Sequence, residues 1–171
     1  DIVDITAGDD FTAALDNKGR VWMVGNNTLG LLGISKTDDI QKYPQRVLAG
    51  KSKSTTMYLE NIVSIAAGAH HMLALDKNGS VWAWGDNSRG QLGEGTYEDV
   101  LEADGIKTSA TTRTVPVAVD IQDVEKIYAG YNNSAAIKTD GTPWAWGDNS
   151  YNQVGNNSTA DIVAVPAQVM Y

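Results

Sequence analysis

Apolar and polar residues alternate along three short stretches of this chain: IVDITAG from Ile2, IVSIAAG from Ile62 and VEKIYAG from Val124. A period of two sends alternate side chains to opposite faces of a strand. A second run follows each stretch, TAALD, MLALD or SAAIK, and its small residues imply that something packs closely against it. A third run carries tryptophan: RVWMVG, SVWAWG or TPWAWG. Between these two runs sit Asn17-Lys18-Gly19, Lys77-Asn78-Gly79 and Thr139-Asp140-Gly141, which read as glycine-bearing hairpin turns. A further strand type begins at a proline, in Pro44–Val47, Pro116–Val119 and Pro166–Val169. The first residue of a strand is where a missing backbone donor does least harm. No segment shows sustained helical periodicity, so the chain reads as all-β.

The runs recur in phase. Trp22, Trp82 and Trp144 lie 60 and 62 residues apart, as do Gly8, Gly68 and Gly130, and Gly25, Gly85 and Gly147. A period of this length marks a repeat array, in which each unit buries its hydrophobic face against a neighbour. The reading is one domain over 1–171, with units of approximately 1–47, 48–119 and 120–171. If the proline-led strand opens a unit, the chain starts on a second strand and ends on a first. Pro166–Val169 is then expected to pair with the sheet begun at Asp1, in the same copy or another.

Composition narrows the function classes. Thirteen basic against 21 acidic residues give a net charge of -8, with no basic stripe, so no nucleic-acid partner is expected. No stretch of about 18 apolar residues exists, so no spanning helix and no membrane insertion are expected. With no cysteine, disulfide and thiol chemistry are excluded. The chain starts at Asp1 without a methionine, which reads as a processed product or an excised segment.

Ala66 to Leu75 reads Ala-Ala-Gly, two variable residues, His71 and then a Leu-Ala-Leu run. Trp84 to Gly93 reads WGDNSRGQLG. Together these resemble the repeat of the regulator of chromosome condensation family. The second unit fits best; the first departs at Phe11, Val24 and Leu31, and the third at Asn133 and Asn152. The resemblance implies a β-propeller with blades of four antiparallel strands, typically seven round an axis. This chain supplies three, fewer than the roughly 4–8 of a closed ring. It would be a partial ring or half of a six-bladed homodimer. The family includes a nuclear guanine-nucleotide exchange factor and a secreted β-lactamase inhibitor. No motif for exchange is found, so the expected role is a non-catalytic protein-protein interaction module.

Each candidate chemistry has a plainer counterpart. Trp82 with Trp84, and Trp144 with Trp146, share strand faces and could stack sugars, but in-phase recurrence favours blade packing. His70 and His71 are the only histidines, too few for a tetrahedral metal site without recurring partners. His71 occupies the family's repeat position, which implies a structural role. Asp86-Asn87-Ser88 and Asp148-Asn149-Ser150 are better read as Asx turns than as calcium loops. No catalytic motif, metal or cofactor is expected.

Positions that vary between units are the better lead. Asp9-Asp10-Phe11, Ala69-His70-His71 and Tyr131-Asn132-Asn133 follow the first glycine, while Thr28-Leu29, Ser88-Arg89 and Ser150-Tyr151 follow the tryptophan strand. In an up-and-down blade both sets leave on one side, and loops held by a scaffold are where binding concentrates. The candidate partner-binding residues are Asp10, Phe11, His70, His71, Arg89, Tyr131, Asn132 and Tyr151, with Phe11, His70, Tyr131 and Tyr151 as anchors. An insertion within Glu94 to Thr114, about twelve residues longer than its counterparts, adds Glu94, Glu98, Asp99, Glu102 and Asp104 to this side. The Lys/Ser/Thr-rich Leu48–Asn61 connection belongs to the opposite side. The expected partner is an unidentified protein, met outside the cell or at its surface. The other readings are a carbohydrate-binding propeller and a structural repeat segment of a larger surface protein.

Overall fold

The computed structural model describes residues 1–37, 40–50, 57–97, 100–101, 107–108 and 111–171. Strands β1 (Ile2–Ala7), β2 (Phe11–Asp16), β3 (Val21–Gly25) and β4 (Gln41–Arg46) pair in that order as one antiparallel sheet. β5 (Ile62–Ala67), β6 (His71–Asp76) and β7 (Val81–Asp86) come next in the chain. A two-residue pair, β8 (Val100–Leu101) with β9 (Lys107–Thr108), lies in the insertion before β10 (Thr112–Ala118), and β10 joins β5–β7 as the outer strand of the second sheet. β11 (Val124–Ala129), β12 (Asn133–Lys138), β13 (Pro143–Asp148) and β14 (Ile162–Gln168) form the third sheet. No helix occurs among the described residues.

The hairpins between second and third strands form where their sequence specifies. Gly19, Gly79 and Gly141 have φ of 70°, 80° and 85°, the left-handed conformation such turns require. In the first two blades an aspartate at the end of the second strand organises the turn. Asp16 accepts from the amides of Lys18 and Arg20 and from Trp22 Nε1, and Asp76 accepts from Asn78, Ser80 and Trp82 Nε1. Burial alone would raise the Asp16 pKa, but the bonds from Trp22 and Arg20 hold it well below the usual carboxylate range. The third blade has Lys138 at that place. Its ammonium lies 4.7 Å from the Trp144 ring centre, and the Trp144 indole donates to Thr142 Oγ1 instead.

The proline strands depart from expectation in two ways. Each is the outer strand of the sheet that precedes it in sequence, so β14 pairs with β13 (Trp144↔Gln168, Asp148↔Ile162) and not with the Asp1 end. The returning β3–β4-type connection delivers the strand antiparallel to its immediate predecessor, which satisfies the ladder locally. Each proline also sits inside its strand, where the register slips: between Gln41 and Gln45, Arg113 and Val117, and Val163 and Ala167. An outer strand with a bulge accommodates a residue lacking a donor.

The sheets stack face to face through their tryptophan strands. Trp84 and Trp146 are fully buried. Trp84 packs with Met23, Leu31, Leu32 and Val47 of the first sheet, and its indole donates to Leu31 O at 2.9 Å. Trp146 packs with Ala83, Leu92 and Val119 of the second sheet and donates to Gln91 O at 3.0 Å. Each wedge thus points back to the preceding blade, not forward to the next. Along the inner edge β1, β5 and β11 lie side by side, tied by Asp9 N to Ala69 O and Ala69 N to Tyr131 O, both 3.1 Å.

Candidate binding face

Each blade ties its two variable loops together by one backbone bond: Asn26 N to Asp10 O at 2.9 Å, Asp86 N to His70 O at 2.8 Å and Asp148 N to Asn132 O at 3.0 Å. Both loop sets therefore share one end of the sheets. They are stiff, because Asn27, Asn87 and Asn149 are buried and bond within their own loops. Their side-chain oxygens accept from the amides of Leu32, Leu92 and Val154, each at 3.0 Å. Asp86 accepts from Ser88 and Gln91, so its oxygens are engaged in turn structure as the Asx reading requires. Among the described residues no group of three metal-ligating side chains exists.

The centre of this end is a shallow depression of about 270 Å³ bounded by Gly8, Asp9, Gly68, Ala69, Gly130 and Tyr131. His70 stands at its edge. Its Nε2 is 3.8 Å from Asp9 Oδ2, and its ring meets Tyr131 edge-on with centroids 6.4 Å apart. Asp10 is exposed, with Asn26 Nδ2 3.5 Å from its carboxylate; Asn132 is half-buried and Tyr131 is 67% exposed. Arg89 and Tyr151 are also exposed, Tyr151 at 88%, but they stand on the outer loops away from the depression. Asp148 lies between the two groups. Burial would raise its pKa, but bonds from Ser150, the nearby Arg89 and Gln153 hold it below the ordinary value, so it carries a charge here.

Two candidates are not on the surface. Phe11 is 4% exposed and belongs to the core between the first two sheets; His71 is fully buried. Both occupy the first position of the second strand, where the side chain turns inward over the glycine three residues earlier. A Cβ on Gly68 would lie 2.1 Å from His71 Cε1, and one on Gly8 2.3 Å from Phe11 Cε1. Phe11 is therefore no anchor, and His71 is a structural group. Ser134 Oγ donates to Gln91 O at 2.8 Å, so His71 Nε2, 2.9 Å from Ser134 Oγ, is the donor of that contact. Burial, and secondarily the charge on His70, push the His71 pKa down from 6.5 to about 3.

Asp9 and Asp148 belong to the face as well; the sequence placed Asp9 in a variable loop and read Asp148 as part of an Asx turn, without counting either among the partner-binding residues. Of the insertion, Glu94 is paired with Arg113 at 2.7 Å, while Glu98, Asp99, Glu102 and Asp104 lie outside the described residues. The tryptophan platforms of a sugar site are absent at Trp84 and Trp146, which are sealed between sheets.

Four-stranded antiparallel blades stacked through a buried aromatic wedge define a β-propeller protein. Sequence profiles of the regulator of chromosome condensation (RCC1) repeat match residues 2–30, 62–91 and 124–153, and, in a longer form, 18–75 and 78–137. The chain belongs to the RCC1-repeat family. It is 32% identical over 167 residues to the human X-linked retinitis pigmentosa GTPase regulator, covering 98% of this chain and 15% of that protein. It is 31% identical over 170 residues to the ultraviolet-B receptor UVR8 of Arabidopsis thaliana, covering 98% of this chain and 34% of the receptor. The solved structure of Prp20p from Saccharomyces cerevisiae superposes with a TM-score of 0.79 at 24% identity, over 99% of this chain and 38% of that one. The chain thus spans roughly a third or less of these relatives' lengths.

Proposed function

We propose that this chain is a non-catalytic protein-interaction module that binds a basic segment of a partner protein at the end of the blades carrying Asp9, Asp10, His70, Tyr131 and Asn132, with Tyr151 and Arg89 on the rim. The observation that carries the reading is Tyr131. It is a large aromatic ring held two-thirds exposed on a loop that is hydrogen-bonded into the neighbouring blade. Rigid exposed aromatics dominate interface energies because little conformational entropy is lost when they are covered. The exposed carboxylates of Asp9 and Asp10 beside it favour a cationic partner and give association a salt dependence. Relatives described as a GTPase regulator and a receptor support a regulatory, partner-binding role for such repeats.

A Lys/Arg-rich peptide library tests this. Wild-type chain is expected to retain basic peptides at low salt and to release them as salt rises. Tyr131→Ala should weaken the best peptide by about 1–2 kcal/mol, in the ordinary range for an interface aromatic. Changes at exposed Lys18 or Met57, at the opposite end of the first sheet, should leave binding unchanged. The reading fails if only those latter changes weaken it.

A further inference from the structure

One repeat position supplies three different side chains to the inner end of the blades. It is the residue after the recurring glycine: Asp9, Ala69 and Tyr131. Backbone bonds fix the three in a row, Asp9 N to Ala69 O and Ala69 N to Tyr131 O, both 3.1 Å. Ala69, in the middle, is small and buried, so the row has an acid at one side, an aromatic ring at the other and space between. That space is the depression of about 270 Å³, floored by Gly8, Gly68, Gly130 and Ala67. It lies below the roughly 300–1,000 Å³ of small-molecule sites and has room for one side chain. Its glycines are fixed, because a Cβ on Gly8, Gly68 or Gly130 would stand 2.3, 2.1 or 2.2 Å from Phe11, His71 or Asn133. Both walls turn toward the second blade: Asp9 Oδ2 is 3.8 Å from His70 Nε2, and the Tyr131 ring meets His70 edge-on. The depression therefore lies among the three blades and borders neither outer face of the stack.

We infer that this depression seats one arginine side chain of the partner, its guanidinium paired with Asp9 and laid against the Tyr131 ring. The inference rests on the proposed function and adds which residue the partner must carry. Asp9 is half-exposed, and among the described residues its carboxylate accepts no hydrogen bond; the 3.8 Å contact with His70 is longer than one. Both oxygens are thus open to a fork of two N–H donors. Arginine matches this arrangement and lysine does not. A guanidinium is planar, gives paired donors to a carboxylate and lays its flat face on an aromatic ring, whereas an ammonium is a compact, strongly hydrated point charge. The apolar stem of the arginine covers the glycine floor. His70, a planar nitrogen-bearing ring of the chain itself, already stands against both groups. Asp10 lies outside the depression and adds charge only.

Peptides selected from the Lys/Arg-rich library test it, each compared with versions in which one arginine at a time is replaced by lysine. One replacement should raise the dissociation constant about tenfold, because lysine loses both the fork and the flat contact, and the others should change it little. Asp9→Asn keeps the size of the side chain and removes its charge. In that variant the preference for arginine at the decisive position should largely disappear. Asp10→Asn should weaken the arginine and lysine peptides by the same factor and keep the preference. Circular dichroism checks that each variant is folded. If the retained peptides carry lysine alone, if arginine and lysine exchange freely at every position, or if the preference survives Asp9→Asn undiminished, the inference is overturned. The proposed function then still stands on the weakening by Tyr131→Ala. If no basic peptide is retained, both fall.

Discussion

Trp84 and Trp146 hold the sheets together by two means at once, apolar burial and a single indole hydrogen bond to a backbone oxygen of the preceding blade. Deleting a buried aromatic typically costs about 3–5 kcal/mol. Trp84→Ala should lower the denaturant midpoint by that order, and Trp82→Ala by less, because the Trp82 ring is only half covered. His71 has a different signature. It is neutral in the folded state, with its pKa depressed to about 3, while the unfolded side chain takes up a proton below 6.5. The unfolded state therefore binds more protons in that window, and stability falls as pH drops from 6.5 toward 3. His71→Asn, the residue the third blade uses at this place, should flatten that dependence by up to about 1.4 kcal/mol per pH unit. Urea titrations of both proteins at several pH values in that window provide the check; equal slopes would mean that His71 is not the group responsible.

At the scale of the element, each blade depends on a glycine beneath the first side chain of its second strand. Gly68→Ala would set a Cβ 2.1 Å from His71 Cε1 and 2.5 Å from Gly130 O, in backbone that cannot retreat. Overpacking of this kind costs about 1–3 kcal/mol, and a thermal melt that does not move would contradict it. Three of the four strands in each blade were legible in the sequence, because alternation, hairpin glycines and tryptophan recur in phase. The outer strand was legible as a strand but not in its pairing. Proline suits a strand start and a bulge equally, and only the register slip around Pro44, Pro116 and Pro166 decides between them. The loop face was legible through its variability, which located Asp10, His70, Tyr131 and Tyr151. Phe11 was misplaced, and His71 was kept among the partner-binding candidates beside the structural role that the resemblance implied for it, because loop position was read as exposure. The recurring glycine three residues before each of them was the available sign that the side chain turns inward.

For the whole molecule, the recurring residues build a rigid stack and the varying ones decorate one end of it. A net charge of -8 and the exposed Asp9 and Asp10 give that end an attraction for cations, and Tyr131 and Tyr151 give it apolar contact area. Neither contribution alters the stack, so binding and stability should separate under mutation. The direct measurement is hydrogen–deuterium exchange of the chain with and without a selected Lys/Arg-rich peptide. Protection confined to the Asp9–Phe11, Ala69–His71 and Tyr131–Asn133 loops, and lost in Tyr131→Ala, is the predicted result. Protection on the Leu48–Asn61 side, with those loops unchanged, would contradict the account.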